Sequence, residues 1–195
     1  MGVIILHDIY RAIMKILIIY GTTEGQTRKI ARYMEENLQA KGHAVSISDA
    51  SDDPPSPQGF DAVILGGSLH MMKHQAALAD YATRHAAMLN NMPGVFFSVS
   101  LGIVTGEENA LAEARRIADE FVHNAGWSPQ HIELIAGALK YTQYDFFKRF
   151  MMKMISTRSG GSADTSQDHE YTDWEQVAAL CDRVIAMPRF TAGNA

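Results

Sequence analysis

Residues 15–31, KILIIYGTTEGQTRKIA, set the frame in which the rest of the chain is read. Ile16 to Ile19 is a short apolar run that fits a buried strand, and Ile30, Met34 and Leu38 then recur at helical spacing. Between strand and helix stands Gly21-Thr22-Thr23-Glu24-Gly25-Gln26-Thr27. It has hydroxyls at 22, 23 and 27, a permissive glycine at 25, and successive backbone N–H groups leading into a helix N-terminus. Such a segment suits a phosphate group, held by nest hydrogen bonds and the helix dipole. It is not a Walker loop, because no Gly-Lys-Ser/Thr follows, and it is not a dinucleotide GxGxxG. A plainer reading keeps Thr22 or Thr23 as an ordinary helix cap.

Working outward, Ala44 to Ser48 alternates as a half-exposed strand does, and Pro54-Pro55-Ser56-Pro57 marks a loop. Three further apolar runs, Ala62 to Leu65, Val95 to Val99 and Ile132 to Ala136, read as strands buried on both faces. Helical stripes lie between and after them: Leu78, Tyr81, Ala82, His85 and Leu89; Leu111, Ala114, Ala118, Phe121, Val122 and Ala125; and Trp174, Val177, Ala178, Cys181, Val184 and Ile185. Strands alternating with helices predict an α/β domain: a five-stranded parallel sheet, helices on both faces, and the alternating strand at an edge, in the order 2-1-3-4-5. Residues 14–188 form this domain, 1–13 an N-terminal extension and 189–195 a C-terminal tail. Met14 would serve equally well as a first residue.

Composition narrows the function. The chain has 195 residues, 17 Lys+Arg against 22 Asp+Glu and a net charge of −5, which disfavours broad nucleic-acid binding. The single cysteine, Cys181, cannot close an intramolecular disulfide, and the scattered histidines predict no metal site. No apolar run approaches the ~18–20 residues of a membrane span. The first residues carry Asp8 and no basic residue ahead of their apolar run, a poor signal peptide. The expectation is a cytoplasmic protein.

In an open parallel sheet, ligands bind beyond the carboxyl ends of the strands. Two more strand ends belong there: Gly66-Gly67-Ser68-Leu69-His70-Met71-Met72-Lys73-His74, and Ser98-Val99-Ser100-Leu101-Gly102. Small residues there let a planar ring approach the backbone. A monophosphate receptor beside two such loops predicts FMN, contacted by Thr22, Thr23, Glu24, Gly25, Gln26 and Thr27, by Ser68, Leu69, His70 and Met71, and by Ser98, Val99, Ser100, Leu101 and Gly102. His70 and His74 are candidate proton carriers, although loop histidines are more often simply solvated.

Residues 140–172 form a long insertion ahead of the last helix, where a doubly wound domain needs only a short loop. Phe147, Phe150, Met151, Met154 and Ile155 share one helical face there, with Lys148, Arg149 and Lys153 on another. Three readings stand: an interfacial membrane anchor, a wall for a bulky hydrophobic substrate, or a helix packed on the sheet.

The opening Thr22, Gly25 and Thr27 resemble the flavodoxin phosphate loop, with Glu24 in place of its middle threonine. The chain is more similar to the bacterial menaquinone-dependent protoporphyrinogen IX dehydrogenase family. The likeness rests on Glu24-Gly25-Gln26-Thr27, on Ile-Ala-Gly-Ala-Leu from Ile135 to Leu139, on the Tyr- and Met-rich insertion with its Ser-Gly-Gly, and on Tyr-Thr-Asp-Trp-Glu-Gln-Val from Tyr171 to Val177. It implies a flavodoxin-like fold, bound FMN, oxidation of protoporphyrinogen IX, and transfer of electrons to menaquinone or ubiquinone at a membrane surface. It also implies substrate or membrane contact by the insertion's Phe147, Lys148, Arg149, Phe150, Met151, Lys153 and Met154. Two features depart from the family pattern: the 68–75 loop holds no aromatic residue, and the 103–108 loop is acidic. A flavodoxin-like electron carrier and an NAD(P)H-fed quinone reductase are the competing readings.

Overall fold

The computed structural model describes residues 13–139 and 169–188. Five parallel strands, β1 (Lys15–Gly21), β2 (Ala44–Asp49), β3 (Ala62–Ser68), β4 (Gly94–Ser100) and β5 (His131–Ala136), pair in the order β2-β1-β3-β4-β5, as the sequence predicts. Among the described residues four α-helices accompany them: α1 (Gln26–Ala40), α2 (Ala76–Leu89), α3 (Glu108–Asn124) and α4 (Trp174–Ala186). The β2–β3 connection has no helix. Its prolines at 54, 55 and 57 cannot donate into one, and the Tyr81 hydroxyl donates to the Pro55 carbonyl at 2.8 Å to pin it.

Side-chain alternation along the strands divides the interior into two cores. Ile16, Ile18, Tyr20, Ile64, Val95, Phe97 and Val99 face α1 and α4; Leu17, Ile19, Val63, Leu65 and Phe96 face α2 and α3. β1 lies inside the sheet between β2 and β3, and six of its seven residues are buried. β5 departs from expectation. It lies at an edge, paired only with β4, and among its residues Ile135 alone is fully buried. Leu111 is likewise exposed, at the start of α3, and in α4 the buried stripe takes Leu180 where Ala178 was expected.

Register brings the strand ends level. Gly21 pairs with Gly67, Ser68 with Val99, and Ser100 with Ala136. The loops after β1, β3, β4 and β5 therefore rise from one edge of the sheet.

Beyond β5 the chain adds β6 (Ala138–Leu139) and, on returning, β7 (His169–Glu170), which pair antiparallel with Leu139 opposite His169. The two ends of segment 140–168 thus leave and rejoin the fold side by side at that edge. The predicted helical segment of the insertion lies outside the described residues, as do the extension 1–12 and the tail 189–195. Among the described residues no helix is long and apolar enough to cross a membrane, and no three His, Cys, Asp or Glu side chains gather as a metal-binding group.

Candidate functional site

Gly25 ends the loop after β1 in the left-handed region (φ 94°), a conformation that a residue with a Cβ adopts only under strain. It is the N-cap of α1, and no side chain caps the helix. Thr22 is therefore not a helix cap: its Oγ1 accepts from the Gly25 N–H at 2.9 Å and closes the loop on itself. The first intrahelical bond is Lys29 N–H to the Gly25 carbonyl, at 3.1 Å. The N–H groups of Gln26, Thr27 and Arg28 thus have no acceptor within the helix. Thr27 is fully buried and its Oγ1 has no hydrogen-bond partner. Leaving a buried hydroxyl unsatisfied costs about 1–3 kcal/mol. A phosphate at the helix start is the acceptor that these donors lack, so the residues present fit an FMN phosphate.

The neighbouring loop is tied to this one by a residue that sequence reading passed over. Gln75, just before α2, donates through Nε2 to Thr23 Oγ1 at 3.0 Å and to Ser68 Oγ at 2.5 Å. The Thr23 N–H also reaches Ser68 Oγ, at 3.3 Å. Gln75 lies directly on Gly21: a Cβ added there would meet its Oε1 at 2.8 Å. Only tertiary packing brings residue 75 onto residue 21, and a lone glutamine ahead of a helix gives no sign of it.

After Ser68, the Leu69 N–H donates to the Val99 carbonyl at 2.7 Å, and the chain turns tightly. His70 and Lys73 exchange backbone hydrogen bonds at 2.9 and 3.0 Å across Met71 and Met72, both of which have positive φ (47° and 65°). The methionines stand out from the surface, Met71 84% and Met72 53% exposed. His70 is exposed at the base of this turn.

His74 does not belong to the open edge. Its ring packs edge-on to Phe96 and Phe121, at centroid distances of 5.1 and 4.9 Å, and Nε2 bonds to Ser98 Oγ at 2.9 Å. Burial pushes the imidazole pKa down to about 4, so the ring is neutral near pH 7. A neutral ring walled by two phenylalanines does not carry protons to a site beyond the strand ends.

The same packing withdraws Ser98, which is fully buried, and Val99 belongs to the core beneath α1 and α4. Of the predicted 98–102 contacts, Ser98 and Val99 point into the interior because β4 is central and covered on both faces. Ser100 Oγ accepts from the Gly102 N–H at 3.0 Å, and Leu101 and Gly102 remain half-buried at the edge. There the 103–108 loop proves to be a short 3-10 turn, Gly102–Thr105, leading into α3.

The returning segment completes the edge. The Tyr171 N–H donates to the Gly137 carbonyl at 3.1 Å, and the Thr172 hydroxyl to the Ala136 carbonyl at 2.8 Å. Gln26 Nε2 donates to Thr172 Oγ1 at 2.8 Å, and Lys29 forms an ion pair with Glu170. Gln26, predicted to contact the ligand, therefore turns its side chain toward the stem of the insertion. The predicted contacts Phe147, Lys148, Arg149, Phe150, Met151, Lys153 and Met154 lie outside the described residues.

The family model of the flavodoxin domain matches residues 17–166. The chain is 37% identical over 166 residues to the protoporphyrinogen IX dehydrogenase (quinone) of Escherichia coli K12, covering 85% of this chain and 91% of that protein. It is 32% identical over 178 residues to the protein of the same name from Leishmania major, covering 89% and 76%. Among solved structures, the azoreductase AzrA shares the fold at 11% identity and a TM-score of 0.52, over 87% of this chain and 99% of that one. With a family model matching most of its length and these identities over most of both chains, the chain belongs to the flavodoxin-domain family and, within it, to the protoporphyrinogen IX dehydrogenase (quinone) family.

Proposed function

We propose that this protein oxidises protoporphyrinogen IX to protoporphyrin IX, with FMN as cofactor and a quinone as electron acceptor. The observation that carries the reading is the likeness to the Escherichia coli dehydrogenase over 85% of this chain and 91% of that one. The site supports it. The uncapped start of α1, with the orphaned Thr27 hydroxyl, suits the FMN phosphate, and the stem of the insertion stands at the same edge.

The N–H groups of Gln26, Thr27 and Arg28 hold the phosphate. Thr22 Oγ1, which accepts from Gly25, keeps its own proton to donate to the anion. Ser68 to Met71 on one side and Leu101 and Gly102 on the other border the space for the ring. Bound FMN supplies the two-electron chemistry that links porphyrinogen oxidation to quinone reduction. His74, neutral and enclosed, holds the β3 loop against Ser98 rather than moving a proton.

Segment 140–168 contacts the tetrapyrrole, with Lys148, Arg149 or Lys153 meeting its propionates. The quinone, menaquinone or ubiquinone, resides in the bilayer, so the protein meets it from the cytoplasm at the membrane surface.

The test is anaerobic turnover of the FMN-reconstituted protein with protoporphyrinogen IX and a soluble quinone, followed by porphyrin fluorescence. Porphyrin formation that depends on both protein and quinone is the expected result. Bound FMN without porphyrin would refute the reading and leave an electron carrier or an NAD(P)H-fed quinone reductase in its place.

A further inference from the structure

We infer that Thr172 is a positioning residue for the phosphate-binding start of α1, an inference that rests on the FMN reading above. The first turn of α1 has no side-chain cap of its own, so its place is set from outside. On one side Thr22 closes the loop onto Gly25. On the other, Gln26, the first residue of the helix, donates to Thr172 across 146 positions of sequence. Thr172 is 9% exposed and uses its hydroxyl twice, accepting from Gln26 and donating to the Ala136 carbonyl, both at 2.8 Å. The phosphate receptor is thereby fixed to the end of β5 through one buried oxygen.

Further contacts continue the seam along the helix. Gln26, Lys29 and Tyr33 share one face of α1. They meet Thr172, Glu170 and Trp174, alternate residues of the returning chain: Lys29 pairs with Glu170 and stands 5.4 Å above the Trp174 ring, and Tyr33 packs on Trp174 at 4.8 Å. The outer contacts are partly solvated and screened. The Gln26–Thr172 bond is the one at the phosphate end. Linkage makes the effect mutual: whatever affinity the phosphate gains from a seated Thr172, the returning strand gains in order from bound phosphate.

Three proteins test this: wild type, Thr172→Val, which keeps the shape and removes the hydroxyl, and Thr172→Ser, which keeps the hydroxyl. Each is titrated with FMN and with riboflavin, which lacks the phosphate. Thr172→Val is expected to weaken FMN about tenfold, the scale of a lost buried hydrogen bond, with riboflavin unchanged. Thr172→Ser restores FMN binding. Equal FMN affinity in wild type and Thr172→Val would overturn the inference, and so would equal weakening of FMN and riboflavin, which marks a general loosening of the fold. Should Thr172→Val not fold, Gln26→Met removes the same bond from the other side and carries the same expectations. A wild-type protein that binds no FMN would overturn the cofactor reading itself.

Discussion

His74 shows how a single residue can look catalytic in the sequence and be structural in the fold. It stands in the loop after β3, yet its ring is half-buried, packed edge-on to Phe96 and Phe121 and bonded to Ser98. Its pKa falls from 6.5 to about 4 because burial penalises the imidazolium. The unfolded chain therefore binds this proton first as pH drops. His74 leaves stability untouched above about pH 6.5, removes about 1.4 kcal/mol per pH unit below it, and levels off near pH 4. Between pH 7 and 5, wild type should lose about 2 kcal/mol more unfolding free energy than His74→Gln, which is neutral throughout. Urea titrations of both proteins at the two pH values measure this, and parallel losses would show that the ring is not enclosed as described. Cys181 is the opposite case: its place on the buried face of α4 was legible from spacing, and burial raises its thiol pKa to about 12, which leaves it unreactive.

At the scale of elements, the turn at 70–73 carries two adjacent left-handed methionines. Such a turn is usually served by Asn-Gly, since a Cβ costs roughly 1–2 kcal/mol per residue in that region. Met72→Gly should stabilise the apo-protein by about 0.5–1 kcal/mol and raise its melting temperature by ~2–3 °C. Thermal unfolding of the two proteins is the check, and a fall in melting temperature would mean that the Met72 side chain contributes more than its backbone strain costs. Helix α1 and the β6–β7 stem belong together at this scale. The amphipathic period of α1 reveals its buried stripe of Ile30, Met34 and Leu38. That period gives no sign that Gln26, predicted from the sequence as a ligand contact, and Lys29 face the returning chain.

At the scale of the whole molecule, the described residues carry a core on each face of the sheet and gather its loops at one edge. Leu139 and His169 are paired partners in an antiparallel ladder, a geometry that two residues can close. Replacing 140–168 with Asn-Gly should leave a folded protein that binds FMN and no longer oxidises protoporphyrinogen IX. Flavin titration and anaerobic turnover of that variant, side by side with wild type, check this; retained turnover would place the substrate contacts elsewhere.

The sequence by itself determined the fold class and the strand order, and it pointed to the loop after β1 that is proposed to hold the phosphate. Each is written locally: apolar runs, helical spacing and a Thr-Thr-Glu-Gly-Gln-Thr turn depend on neighbours only a few positions away. The tertiary structure alone decided which of the residues near the strand ends reach the edge of the sheet. Ser98 and Val99 stand only a few positions before Leu101 and Gly102, yet they lie inside β4, which is flanked by β3 and β5 and covered on both faces, so the first pair is withdrawn and the second remains. The apolar composition of β5 suggests burial, while its depth is set by having a partner on only one side. Gln75 on Gly21 and Thr172 on Gln26 are meetings across 54 and 146 positions, created by strand pairing and helix docking. No local pattern records them, because a hydrogen bond between distant residues asks only for a polar group at each end.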